Sequence, residues 1–196
     1  MPRIASGAAL CVVVAIAAAC ASTPPSRFYT LSPTAPAGTT TSKLSVVVGP
    51  VSIPALVDLP QIVVSAGPNQ VSIDEFNRWA SPLANNISRV VAENLVLLLG
   101  TPRVSQFQQS LNADADFRVA IEVQSFESAP GEAATLNAAW LVRRTRDGKA
   151  ETGRTTVREP AGEKGYDALA AAHSRALGRM SQDIADAVRT LDRAAP

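Results

Sequence analysis

The hydrophobic positions of this chain fall into runs of two periods, and the points where one period gives way to the other mark its elements. Leu44–Gly49 is a nearly continuous apolar run ended by Gly49-Pro50, the pattern of a buried strand. Val51 to Pro60 holds Pro54 and Pro60 and reads as a stiff connection. Gln61–Ser65 is a second strand, turned by Gly67-Pro68-Asn69 toward Gln70–Ile73. Helical spacing then takes over: Leu83, Ile87, Val90, Val91, Leu95, Leu98 and Leu99 share one face, on which Asn94 is the polar exception. Ser81 is placed as N-cap with Pro82 at the first helical position, and Gly100-Thr101-Pro102 ends the helix.

The second half repeats the scheme with more polar strands. Arg103–Phe107 is a short strand, and Phe117, Val119, Ile121 and Val123 alternate with polar or small residues as a half-buried one. Ala134–Thr145 follows, with Leu136, Ala138, Trp140 and Val142 on one face. Asp147-Gly148 signals a hairpin, returning through Glu151 to Arg158. Tyr166, Leu169, His173, Leu177, Met180, Ile184, Val188 and Leu191 form a long helical stripe. The expected fold is α+β: a two-layer α/β sandwich with a mostly antiparallel sheet and two main helices.

Charge and composition narrow the function. Eighteen Lys and Arg against 17 Asp and Glu leave a formal net charge of +1, which gives no field for nucleic acid. A single histidine, His173, leaves no histidine cluster to hold a catalytic metal, and its place on the apolar stripe reads as a packed residue. No Gly-Lys-Ser/Thr phosphate loop and no Gly-x-Ser-x-Gly appear. Asp114 and Asp116 read as a solvated loop, and Arg143, Arg144 and Arg146 as a solvated hairpin end that could also touch anionic headgroups. No cofactor and no catalytic set is expected.

The N-terminus says where the protein works. Arg3, an apolar stretch running to Ala19, and then Cys20 before Ser22-Thr23-Pro24-Pro25 read as a secretory signal ending at a lipidation site. Ala17 stands where the bacterial lipobox normally has Leu, so a soluble periplasmic protein and an uncleaved anchor stay open beside the lipoprotein. Residues 1–19 are assigned to the signal and 20–42 to a lipidated Cys20 with a Ser/Thr/Pro-rich tether. A short strand at 27–31 interrupts the tether, and one domain follows over 43–192. Cys11 would leave with the signal, and the mature domain would then hold no disulfide.

Two segments carry a family resemblance: Asp58-Leu59-Pro60-Gln61-Ile62-Val63, and Glu75-Phe76-x-Arg78-Trp79-Ala80-x-Pro82-Leu83. With Val48-Gly49-Pro50-Val51 and Phe28-Tyr29-Thr30-Leu31 upstream, this pattern resembles the PqiC/YmbA-type family of ABC-type transport auxiliary lipoproteins. Leu59 departs from the Arg of many members. The resemblance implies a sandwich similar to the N-terminal domain of TolB. It also implies a non-enzymatic outer-membrane lipoprotein facing the periplasm, anchored through Cys20. Such a protein works with an MCE-domain protein and inner-membrane transporter components in lipid transport that supports membrane integrity. A homo-oligomer stays open. Asp58, Pro60, Gln61, Arg78, Trp79 and Pro82 are then partner-binding or structural signature residues, Trp79 being either an apolar interface anchor or a core aromatic. The competing expectation is a lipoprotein that binds a small apolar ligand or assists outer-membrane assembly, with a cavity between sheet and helices.

Overall fold

The structure is a computed structural model and describes residues 24–39, 41–107 and 115–194. The signal, Ala17, Cys20 and Asp114 lie outside the described residues. The elements are β1 (Arg27–Tyr29), β2 (Val46–Ser52), β3 (Gln61–Gly67), β4 (Gln70–Trp79), α1 (Leu83–Leu99), β5 (Val104–Gln106), β6 (Phe117–Ala129), β7 (Ala133–Arg144), β8 (Ala150–Pro160) and α2 (Tyr166–Arg193).

Two sheets form where one was expected. The larger has the order β5-β2-β6-β7-β8, the smaller β1-β4-β3. The meander β6-β7-β8 is antiparallel as predicted, but β2 runs parallel to both β5 and β6, so the larger sheet is mixed. Val46, Val47 and Val48 of β2 are fully buried, which suits a strand between two parallel neighbours and covered on both faces. The two helices lie on one face of this sheet, α1 over β2 and β5 and α2 over β7 and β8. The result is the α+β sandwich that the periodicity predicts. Between the layers Leu136, Leu177, Met180, Ile184 and Val188 are wholly enclosed.

Several local expectations are revised. β2 does not stop at Gly49-Pro50 but continues to Ser52 through a register shift between Val48 and Val51. Gly49 makes this possible with φ +127°, a conformation that a side chain rarely adopts, and a Cβ there would meet Phe107 at 2.8 Å. Helix α1 is capped one residue later than expected: Pro82 is the N-cap, no side chain caps the helix, and the Asn86 N–H donates to the Pro82 carbonyl at 3.0 Å. Gly100, at φ 61°, closes it in the left-handed conformation as foreseen.

The hairpin end at Asp147-Gly148 is not the solvated arginine cluster that its sequence suggests. Arg143 and Arg146 are exposed, but Arg144 is only 2% exposed. Its guanidinium donates to both Asp147 carboxylate oxygens, at 3.0 and 2.6 Å, and to the Leu191 carbonyl near the end of α2. The hydrogen bonds from Arg144 hold the Asp147 carboxyl at about 2, well under its ordinary value. Asp116 is likewise more than a solvated loop residue. It accepts from the Ser45 N–H and hydroxyl, both at 2.7 Å, and so ties the start of β6 to the lead-in of β2.

A second buried polar link runs from sheet to helix. The Trp140 indole N–H donates to the Thr155 hydroxyl at 3.1 Å, and that hydroxyl donates to Asp183 of α2 at 2.5 Å. The ring reaches this position only because residue 153 on the neighbouring strand lacks a side chain. A Cβ on Gly153 would stand 2.2 Å from the Trp140 ring. Gly153→Ala is therefore expected to lower stability by about 1–3 kcal/mol, the usual cost of overpacking. Urea denaturation monitored by tryptophan fluorescence checks this; an unchanged midpoint would show that the ring has another place to go.

Candidate functional site: the strap and the signature seam

Residues 30–39, expected to behave as a linker, are laid across both helices. A segment without regular structure of its own needs an acceptor for each buried backbone N–H. Polar side chains on the helix faces supply them. Asn94 Oδ1 accepts from the Thr34 and Ala35 N–H groups, both at 3.0 Å, while its Nδ2 donates to the Ser181 hydroxyl of α2 at 3.2 Å. The Ser32 N–H donates to the Ser174 hydroxyl at 3.1 Å, and Leu31 N–H to Asn86 Oδ1 at 3.4 Å. Arg89 of α1 donates to the Leu31 carbonyl at 2.5 Å and holds Glu93 at 2.8 Å.

This strap is anchored by packing as well. Leu31 is fully buried within the core. Further along, the Gly38 N–H donates to the Leu97 carbonyl at 2.8 Å and Ser42 N–H to the Gly100 carbonyl at 2.9 Å. The strap passes so close to α2 that a Cβ on Gly178 would meet the Thr34 hydroxyl at 2.4 Å. Of these groups only Asn94 showed in the sequence, as the polar residue on an apolar stripe. Asn86 and Ser174 carried no periodic signal, because they look like ordinary boundary residues until the strap covers them.

The signature residues gather at the seam between the small sheet and α1. The Trp79 N–H donates to the Pro60 carbonyl at 2.8 Å, and Gln61 lies opposite Arg78 in the β3–β4 register. Gln61 and Arg78 both turn to Glu75: Gln61 Nε2 reaches its carboxylate at 3.2 Å, and Arg78 Nε donates to its carbonyl at 2.9 Å. The Ala80 N–H donates to the Tyr29 carbonyl at 2.8 Å, which joins β1 to the same seam. Asp58, Pro60 and Pro82 are exposed around it, and Gln61 and Arg78 are half-buried. Trp79 is 6% exposed and belongs to the core. Its ring meets Phe126 of β6 edge-on, with centroids 6.2 Å apart, so it staples the small sheet to the large one.

His173 continues this column. Its ring stacks on Phe126 at 3.7 Å, and Nε2 shares a 2.8 Å hydrogen bond with the Ser128 hydroxyl. The residue is completely buried, which pushes its pKa down to about 3 and keeps the ring neutral. It is a packing residue, as its place on the stripe suggested. Among the described residues no group of His, Cys, Asp or Glu could hold a metal ion. No described helix is long and apolar enough to cross a membrane. The described grooves are surface features of about 240–640 Å³, such as the one between Phe28, Tyr29 and α2. Between sheet and helices lie the buried apolar side chains of the core.

Two outcomes follow from the strap and the column. Asn94→Leu keeps the volume but leaves two strap N–H groups without an acceptor. It is expected to cost about 2–6 kcal/mol, two orphans at about 1–3 kcal/mol each. It should also speed hydrogen exchange at Thr34 and Ala35; protection equal to that of the unaltered chain would remove the strap's dependence on Asn94. His173 gives a pH signature. Between its ordinary value of 6.5 and about 3, the unfolded chain binds a proton that the folded ring excludes. Its contribution is thus intact above pH 6.5 and lost as pH falls, by up to about 1.4 kcal/mol per pH unit. The difference in urea stability between His173→Gln and the unaltered chain should change by that slope from pH 7 to pH 4; a constant difference would place His173 in water.

The comparisons with known proteins agree with this geometry. The family described as the ABC-type transport auxiliary lipoprotein component matches residues 29–185. A solved structure described as an uncharacterized protein superposes with a TM-score of 0.69 at 20% identity, covering 84% of this chain and 99% of its own. Protein XCC0632 from Xanthomonas campestris, of family DUF330, superposes with a TM-score of 0.68 at 19% identity, covering 86% of this chain and 100% of its own. At these identities the two structures establish the fold. No curated protein matches the chain. The family match begins inside β1, takes in the strap and the seam, and ends within α2. The chain accordingly belongs to the ABC-type transport auxiliary lipoprotein component family, membrane-associated envelope proteins that serve transport as accessories and not as enzymes.

Proposed function

We propose that this protein is the lipid-anchored accessory of an MCE-type lipid transport system, held on the periplasmic face of the outer membrane. Residues 1–19 are the signal removed on export, Cys20 carries the acyl chains, and residues 21–26 join it to β1. The observation that carries the reading is the strap. With residues 30–39 tied to both helices, only six residues lie between Cys20 and Arg27. The domain therefore sits close to its anchor, as a rigid docking body and not as a module on a long leash.

A docking role needs complementary surface and no reacting groups. The rim of the seam offers Asp58, Gln61 and Arg78 for charged and hydrogen-bonded contacts, with Pro60 and Pro82 as rigid edges and Trp79 holding the rim from beneath. The partners that suit this role are an MCE-domain protein and, through it, the inner-membrane transporter components. Several acyl chains on one cysteine would hold the protein firmly, where a single chain binds a membrane only marginally.

Cys20→Ala should abolish incorporation of labelled palmitate and move the protein from the membrane to the soluble fraction of the envelope. Affinity capture of the unaltered protein from gently solubilised envelopes should recover an MCE-domain protein. Retention of the Cys20→Ala protein on the membrane would overturn the anchor. Recovery of no MCE-domain protein under conditions that preserve membrane complexes would overturn the partner.

A further inference from the structure

The distal half of the β3–β4 hairpin stands clear of both layers. From Ser65 to Ile73 every residue is exposed, on both faces of the ribbon. Val71 and Ile73, 44% and 46% exposed, lie two positions apart on one face of β4. No charged residue occurs between Asp58 and Asp74. Projecting strands that meet only water are normally guarded by charge, lysine above all, because bare ribbon edges recruit other strands. A neutral arm with paired β-branched apolar side chains is the kind of surface that something covers.

What covers it follows from the direction in which the chain arrives. β1 is parallel to β4, with Arg27 opposite Asn77, so the residues leading into β1 come from the side on which β4 begins. Cys20 lies seven positions before Arg27, and Gln70 lies seven positions before Asn77. An extended chain spans at most about 3.5 Å per residue, so a lipid on Cys20 holds the membrane surface within about 25 Å of Arg27. The arm of β4 extends a comparable distance, at about 3.3 Å per residue. The arm therefore projects on the side from which β1 is entered, within the reach of the anchor. Its neutrality suits that place: the hydroxyl and amide groups of Ser65, Asn69, Gln70 and Ser72 can remain among headgroups, where a charge would resist partial desolvation.

We propose that the hairpin segment Ser65–Ile73 is a membrane-contacting arm that lies on the bilayer holding the Cys20 lipid, with Val71 and Ile73 seated at the boundary between headgroups and acyl chains. This inference rests on the Cys20 anchor proposed above. It gives the domain a second point of support, so that lipid and arm together fix which face is turned toward the transport partner. Since the arm carries no charge, its seating is insensitive to salt, unlike that of a basic patch.

The cysteine inventory makes the test clean. Cys11 and Cys20 are the chain's two cysteines, one removed with the signal and the other capped by lipid, so a new cysteine is the sole free thiol. Full-length protein carrying Val71→Cys or Ile73→Cys is purified, checked for acylation by intact mass, labelled with an environment-sensitive fluorophore and reconstituted into phosphatidylethanolamine/phosphatidylglycerol vesicles. Thr156→Cys, exposed on β8, is the control. The expected result is a blue shift at 71 and 73, with quenching by a nitroxide placed high on the acyl chain and neither change at 156. Acylated protein whose labels at 71 and 73 stay as open to aqueous iodide as the label at 156 would overturn the arm while leaving the anchor standing. Labels shielded only after a partner protein is added would overturn it in favour of a protein contact. A mass without acyl groups would remove the anchor, and the arm with it.

Discussion

Everything distinctive in this structure depends on one requirement: a segment with neither helix nor strand of its own must find an acceptor for each backbone N–H that it buries. Residues 30–39 cross two helices, and the helices meet them with Asn86, Asn94 and Ser174 turned toward the strap. Asn94 serves two N–H groups with one oxygen and uses its amide nitrogen on Ser181, so one buried side chain fastens strap, α1 and α2 together. The geometry leaves little slack. Thr34 lies where a Cβ on residue 178 would stand, and the Leu98 carbonyl would stand 2.6 Å from a Cβ on Gly38. What composition marks as linker is thereby fastened to the folded body, with Leu31 as its apolar anchor in the core.

A chain of aromatic contacts does for the sheets what the strap does for the helices. Trp79 meets Phe126, Phe126 stacks on His173, and His173 bonds to Ser128, so β4, β6 and α2 share one column. At the other end of the sandwich, Arg144 joins the β7–β8 turn to the end of α2 through Asp147 and the Leu191 carbonyl. Buried polar links of this kind are demanding, since a half-satisfied one costs more than an apolar contact. They account for a body that can present a surface in fixed orientation. Such a body suits an accessory that contributes contacts to a transport system.

The elements themselves were legible. The spacing of Leu83 to Leu99 and of Tyr166 to Leu191 defined both helices, and alternation from Phe117 to Val123 and from Leu136 to Val142 defined the meander, because one-sided burial writes its period directly into the residues. The signature around Asp58–Gln61 and Arg78–Pro82 was also visible, and so was its family. Its division of labour was not: Trp79 and Arg78 are neighbours in the chain, yet one is core and the other rim. Arg144 misled for the same reason. Nothing local distinguishes it from Arg143 and Arg146, and only the arrival of α2 buries it.

Sequence alone thus determined the periods, the turns, the neutral stretch before Asp74 and the cysteine at the boundary between an apolar and a polar segment. Each of these is a local property, set by which side chains can share a face or end an element. Tertiary structure decided the division into two sheets, the parallel seat of β2 between β5 and β6, the capture of the strap, and the side of the molecule on which chain and hairpin arm emerge. Those depend on partners far apart in the chain, such as Thr34 with Asn94 or Arg27 with Asn77. A residue's period carries no record of a neighbour that reaches it only when the chain has closed.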